Sequence, residues 1–290
     1  MKLAEQKTQW NEEKLAQTYE SGRPIDIKVI MELFHKIDKK ANLNCKNKIL
    51  LDAGCGTGRL TFPIAKKFSE LKIMGIDKSD AMLSVLNEKI AKSHLNNYET
   101  SNSNISKTDF PDNYFDFALV SSVFHSTKNW KEIIKEIVRV TKTDGYLFLI
   151  SEEGDLYTYG LGRKSGKNDI LQKFWGQYMD MRHKHNMENP ESSQIGLKWE
   201  LGHSDLIDFL KEQNLIKSFD EIKLDWQKTF AVSDFMDIVE NRCWSSMFTA
   251  NNEKYELLTN DMKSWLEHEQ IPLEAECVSN FRLKCEVVKV

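Results

Sequence analysis

The chain has 290 residues, with 44 acidic against 40 basic side chains, a formal charge of −4 and a pI near 6.0. That balance gives no general attraction to nucleic acid, although it leaves room for a local basic patch, and it favours a small or neutral partner. The length allows one large α/β domain or one domain with an inserted cap, and no uncharged run reaches membrane-spanning length. The five cysteines, Cys45, Cys55, Cys243, Cys277 and Cys285, contain no C-x-x-C pair and leave one unmatched. Ordinary thiols in a reducing cytoplasm fit that count better than a disulfide framework does. The opening MKLAEQKTQWNEEK is polar, without the apolar run of a secretion signal.

Residues 1–22 are polar with two spaced aromatics, Trp10 and Tyr19. The apolar spacing predicts a short helix, a break at Gly22-Arg23-Pro24 and a second helix to about Lys39. From Lys48 to Leu60 the chain reads KILLDAGCGTGRL. Ile49, Leu50 and Leu51 suit a strand buried on both faces, which stops at Asp52. Gly54, Gly56 and Gly58 then allow a tight turn and the approach of a ligand to bare backbone, and Leu60 to Phe68 has helical spacing. A strand, a glycine turn and a helix start form a nucleotide site.

The dinucleotide fingerprint G-x-G-x-x-G would need a glycine at Arg59, so it fails, and no Gly-Lys-Ser/Thr follows that would make a P-loop. Lys72 to Asp77, KIMGID, is a second apolar strand ending in an acid whose two oxygens match the spacing of a ribose diol. Ser79 then caps a helix through Met82, Leu83, Leu86 and Ile90.

The run Asp52-x-Gly54-x-Gly56-x-Gly58 resembles motif I of the class I S-adenosylmethionine-dependent methyltransferases, of the type 11/25-like kind that acts on small molecules. The resemblance implies S-adenosyl-L-methionine as cofactor and S-adenosyl-L-homocysteine as product. It assigns Asp52, the three glycines, Asp77 and Lys78 to cofactor binding. It adds Met82 near the adenine, for which core packing is an equal reading. A Tyr-x-x-x-Arg pair in the leader, Tyr19 and Arg23, would join them; Arg23 would meet a carboxylate of cofactor or substrate, or be a surface arginine beside a helix start.

Tyr98 to Phe110 carries little pattern. Counting back from Phe110-Pro111-Asp112, the family's adenine-binding acid falls on Asn104, a departure from the usual aspartate. Its amide oxygen would accept from the adenine amino group, with the Ile105 backbone N–H beside it. Asp116 is expected to tie down the start of a fourth strand, Phe117 to Ser122, in a structural role. Ser121 and His125 stand at that strand's carboxyl end, where ligands of open parallel sheets lie. His125 is the candidate general base, with a packing role as the alternative. Trp130 to Thr141 predicts a helix, Lys142 to Gly145 a turn and Tyr146 to Ile150 a fifth strand.

Beyond Ser151 the family motifs stop. Residues 153–200 are polar yet rich in aromatics, which reads as a helical cap. A helix (202–215), a strand (219–230), two or more helices (233–267) and a last strand (280–290) follow. The family fold implies a Rossmann-like α/β sheet of seven strands, order 3-2-1-4-5-7-6, with the last antiparallel. The expected domains are a lid (1–40), a cofactor-binding core (41–152), a substrate cap (153–215) and the remainder of the core sheet with inserted helices (216–290). Trp10, Tyr157, Tyr159 and Trp199 are candidates for the acceptor pocket. His183-x-His185 has no further ligand at a convincing spacing, so no metal is expected.

The implied reaction is in-line methyl transfer to a small-molecule oxygen or nitrogen, in which a base is needed only where the acceptor must lose a proton. The rivals are an RNA-modifying methyltransferase, a cofactor-binding regulator without activity, and a nicotinamide oxidoreductase, which the glycine spacing disfavours. A cytoplasmic monomer or homodimer is expected.

Overall fold

A computed structural model describes residues 13–43, 45–124, 127–160, 169–187, 204–244, 247 and 251–290, with side chains left aside at 158–160, 169 and 204. The contacts among described residues divide the chain into two compact units. One, the sheet unit, comprises Ile25–Ser151, Glu191–Leu224 and Leu283–Val290; the other, the helical unit, comprises Met1–Pro24, Glu152–Pro190 and Asp225–Arg282.

The strands are β1 (Ile49–Ala53), β2 (Lys72–Asp77), β3 (Tyr98–Asn102), β4 (Phe115–Ser121), β5 (Thr141–Gly154), β6 (Ser218–Ala231) and β7 (Glu276–Lys289). They form one mixed sheet in the order β3-β2-β1-β4-β5-β7-β6, as expected. β1 pairs in parallel with β2 and β4, β2 with β3, and β4 with β5. β7 runs the other way. Val290, just after it, accepts from Asp144 N–H at 3.0 Å and donates to Gly145 O at 3.1 Å near the start of β5, and Lys217 N–H, just before β6, donates to Lys289 O.

The inner strands read as unbroken apolar runs because helices cover both faces. α3 (Thr61–Lys67), α4 (Asp80–Lys92) and α5 (Trp130–Val140) are the crossovers, and α2 (Ile27–Ala41) and α8 (Ser204–Glu212) add to the cover. α5 buries Ile133, Ile134, Ile137, Val138 and Val140, spaced three and four apart on one face. α2 begins where the Asp26 carboxylate accepts the Lys28 N–H at 2.8 Å and ends at Asn42 in the left-handed region, φ 54°. β3 is an edge strand with only Tyr98 buried, so it lacks an apolar run.

The expected turn at Lys142 to Gly145 is instead a bulge inside β5. Phe115 pairs with Thr141 and Phe117 with Tyr146, so extra residues of β5 face one step of β4. The Asp116 carboxylate explains the distortion: it accepts from Lys48 Nζ at 2.9 Å, Lys142 Nζ at 3.0 Å and Ile49 N–H at 3.0 Å. Gly145 fits because a Cβ there would stand 2.7 Å from Asp116 O.

The helical unit holds α1 (Glu13–Thr18), α6 (Asp155–Gly160), α7 (Asp169–Lys184), α9 (Val232–Glu240) and α10 (Asn252–His268). Its core is aromatic: Phe174, Trp175, Tyr178, Phe235 and Trp244 are buried together, with Trp175 and Trp244 stacked at 4.7 Å. The aromatics of α7 are thus core residues of a second apolar centre. Among the described residues no helix is long and apolar enough to cross a membrane.

Candidate cofactor site

The carboxyl end of β1 leads into a turn in which Gly54, Gly56 and Gly58 have φ of 77°, 52° and 72°, a region costly for residues with a Cβ. The three differ in what surrounds them. A Cβ on Gly54 would lie 2.5 Å from Val123 Cγ2, and one on Gly58 would lie 2.5 Å from Leu86 Cδ1. At Gly56 a Cβ would meet nothing within 4 Å. Gly54 and Gly58 therefore allow packing, whereas Gly56 opens backbone to the space above the turn. The turn is fastened to β2, since Gly54 and Cys55 N–H groups donate to Ile76 O at 2.8 and 3.1 Å.

Asp77, the last residue of β2, is held from both sides. Gly56 N–H donates to Oδ2 and Ser79 N–H to Oδ1, each at 2.9 Å. Each oxygen keeps a lone pair, so the carboxylate is preset to accept from a vicinal diol. Burial pushes its pKa up, against the backbone N–H groups of Ser79, Gly56 and Lys78 and the Lys78 charge, which pull it down. Ser79 also caps α4 by accepting the Met82 N–H at 3.1 Å. Met82 is buried, in keeping with the core-packing reading of its side chain, and Lys78 is exposed.

Asn104 is exposed after β3, and its Oδ1 accepts from Ser106 N–H at 3.0 Å and Ser106 Oγ at 2.9 Å. Both lone pairs of that oxygen are engaged, so the amide NH₂ is the end left to face a ring nitrogen. Ile105 packs half-buried against the sheet core. Ser121 is half-buried at the tip of β4, followed by Ser122 at φ 57°.

Asp52 is turned inward. It is 4% exposed and accepts from Thr61 Oγ1 and, at 3.0 Å, from Tyr98 Oη. Sequence reading missed this cluster, because Thr61 and Tyr98 lie nine and 46 residues further on and follow no common motif.

Ten sequence-predicted residues thus fall in the sheet unit: Asp52, Gly54, Gly56, Gly58, Asp77, Lys78, Met82, Asn104, Ile105 and Ser121. Tyr19, Arg23, Tyr157 and Tyr159 belong to the helical unit. There the Arg23 guanidinium lies 4.1 Å from the Tyr19 ring centroid, and its Nη1 donates to Cys243 O at 3.1 Å. Tyr157 Oη donates to the buried Glu152 at 2.9 Å. Trp10, His125 and Trp199 lie outside the described residues, as does the Tyr159 side chain. His185 pairs with Asp261 at 2.9 Å, and no group of three or more metal-ligating side chains is assembled among the described residues.

Three alternating glycines with open backbone at the middle one, beside a carboxylate with two oriented acceptors, fit the adenosine half of S-adenosylmethionine. A family model described as "Methyltransferase domain" matches residues 51–149. Among curated relatives, a demethylmenaquinone methyltransferase of Geobacillus stearothermophilus is 34% identical over 101 residues, 34% of this chain and 43% of that one. An (S)-coclaurine N-methyltransferase of Thalictrum flavum subsp. glaucum is 31% identical over 100 residues, 34% of this chain and 27% of that one. The matches thus span under half of those relatives' length. Two solved structures share the fold: the YcgJ protein of Bacillus subtilis, TM-score 0.51, 13% identity, covering 88% of this chain and 96% of that one; and Haemonchus contortus phosphoethanolamine N-methyltransferase 2 with S-adenosyl-L-methionine, TM-score 0.51, 15% identity, covering 96% of this chain and 57% of that one. Residues 51–149 are therefore a methyltransferase domain, carried on the fold of the class I S-adenosylmethionine-dependent methyltransferases.

Proposed function

We propose that this protein transfers a methyl group from S-adenosyl-L-methionine to a small-molecule acceptor, at oxygen or nitrogen, leaving S-adenosyl-L-homocysteine. The observation that carries the reading is Asp77, aimed by the Gly56 and Ser79 N–H groups beside the uncovered Gly56 backbone. When bound, the cofactor supplies an electrophilic methyl on a sulfonium. The chain's own part is to hold it. Asp77 accepts both ribose hydroxyls, Gly56 admits the ligand against bare backbone, and the Asn104 and Ile105 segment sits beside the base.

Positioning supplies most of the rate in a displacement of this kind. His125 is the proposed base for an acceptor that must lose a proton. The small-molecule assignment is supported by the names of the curated relatives, a demethylmenaquinone methyltransferase and a coclaurine N-methyltransferase. The test is formation of S-adenosyl-L-homocysteine, followed by mass spectrometry, across a panel of amines, phenols and quinols. Formation that depends on the acceptor supports the reading; cofactor binding with no turnover on any acceptor would make the protein a cofactor-responsive regulator instead. With a competent acceptor, His125→Ala is expected to lower turnover by about a hundredfold while leaving cofactor affinity near normal.

A further inference from the structure

We infer that Asp52 discriminates the cationic donor from its neutral thioether product, by charge held beneath the glycine turn instead of by direct contact. The inference rests on the function proposed above and assigns one residue a specificity within it.

Asp52 lies in β1, two residues before Gly54, and is 4% exposed. Thr61 Oγ1 and Tyr98 Oη both reach the same carboxylate oxygen, Oδ2, and stand 2.8 Å from each other, closing a buried triangle. Both partners are neutral hydroxyls. Among the described residues, the ionisable groups acting on this triangle are Cys55 from the turn, Asp77 from β2 and Tyr98 itself from β3, each an acid. From α3 comes only Thr61, and the strand partners of Asp52, Gly75 in β2 and Leu119 in β4, carry no charge.

A carboxylate so placed is charged at a desolvation cost that two hydroxyls offset only in part. Burial pushes its pKa up to about 6, with Thr61 and Tyr98 pulling it down and Asp77 adding to the rise. Cys55 and Tyr98 are pushed well above their ordinary values by the same burial, so they stay protonated through the neutral range. The donor's sulfonium would bring a positive charge to a cluster whose described neighbours are all acids; a thioether would not. Donor and product share the adenosine, ammonium and carboxylate, so those contributions cancel in the ratio of their affinities.

The sign follows by linkage. A cationic ligand favours ionised Asp52, so below about pH 6 its binding expels a proton. Donor affinity climbs as the pH rises through that value and levels above it, while product affinity lacks this climb. The experiment is calorimetric titration of the full chain with S-adenosylmethionine and S-adenosylhomocysteine between about pH 5 and about pH 7.5, in paired buffers of different ionisation enthalpy.

The donor-to-product affinity ratio should rise roughly fivefold or more across that range, with proton release seen for the donor alone. Asp52→Asn should flatten the ratio. Tyr98→Phe, which keeps the acid but removes one hydroxyl, should move the rise to higher pH. A flat ratio in the wild-type protein with both ligands bound overturns the inference and leaves the proposed function standing, as does an unaltered slope in Asp52→Asn. Failure of either ligand to bind at any pH overturns both.

Discussion

Gly56 and Gly54 are both glycines at positive φ, yet their substitutions should fail differently. Alanine at Gly56 meets open space, so its only cost to the fold is the left-handed backbone, about 1 kcal/mol, while its methyl would occupy the ligand's approach. Alanine at Gly54 adds a collision with Val123 to the same strain. Thermal melts and cofactor titration should therefore show Gly56→Ala near wild type in stability but at least roughly tenfold weaker in binding, and Gly54→Ala clearly destabilised. A Gly56→Ala protein that binds normally would remove the ligand from that side of the turn. The glycine spacing and the position of Asp77 at the tip of β2 were legible in the sequence because both are local. The hydroxyls on Asp52 and the Ser106 contacts on Asn104 were not, since the first come from a helix start and a separate strand that share no motif and the second from a turn without a strong motif.

At the scale of the element, the sequence located β2, α4, α5 and the last strands closely, because each has a strong period or an explicit cap. It missed the bulge in β5, where the turn signal Lys142-Thr143-Asp144-Gly145 was overridden by a charge pairing. Asp116 holds Lys48, Lys142 and the first N–H of β1 on one carboxylate, joining β1, β4 and β5. Burial raises its pKa, but those three donors outweigh it and hold the group below the ordinary aspartate value. A depressed folded-state pKa contributes stability that is present above the unfolded value, about 4, and is lost as the pH falls through the folded one. Asp116→Ala should cost about 2 kcal/mol at neutral pH in urea unfolding, with the gap to wild type closing in acid. An unchanged midpoint at neutral pH would show that the staple contributes nothing.

Over the whole molecule, the family match stops at residue 149, and the helical unit is where the sequence spoke least. Its polar, aromatic-rich stretch read as a helical cap, and Phe174, Trp175 and Tyr178 of α7 are core of that unit, because its helices need an apolar centre of their own. The leader is fastened within that unit: Trp244 Nε1 donates to Gly22 O at 2.8 Å, Lys14 Nζ to Glu240 O at 3.1 Å, and Arg23 to Cys243 O. A Cβ on Gly22 would stand 2.4 Å from Cys243 Cβ. Gly22→Val is accordingly expected to release residues 13–24, seen as faster amide exchange there; protection equal to wild type would refute the latch.

The account stands on cofactor capture by the carboxylate at the tip of β2, and isothermal titration of wild type and Asp77→Ala with S-adenosyl-L-homocysteine tests it most directly. Wild type should bind, and Asp77→Ala should bind at least roughly tenfold more weakly while melting within a few degrees of it. No binding by the wild-type chain, or equal binding by the two proteins, would contradict it.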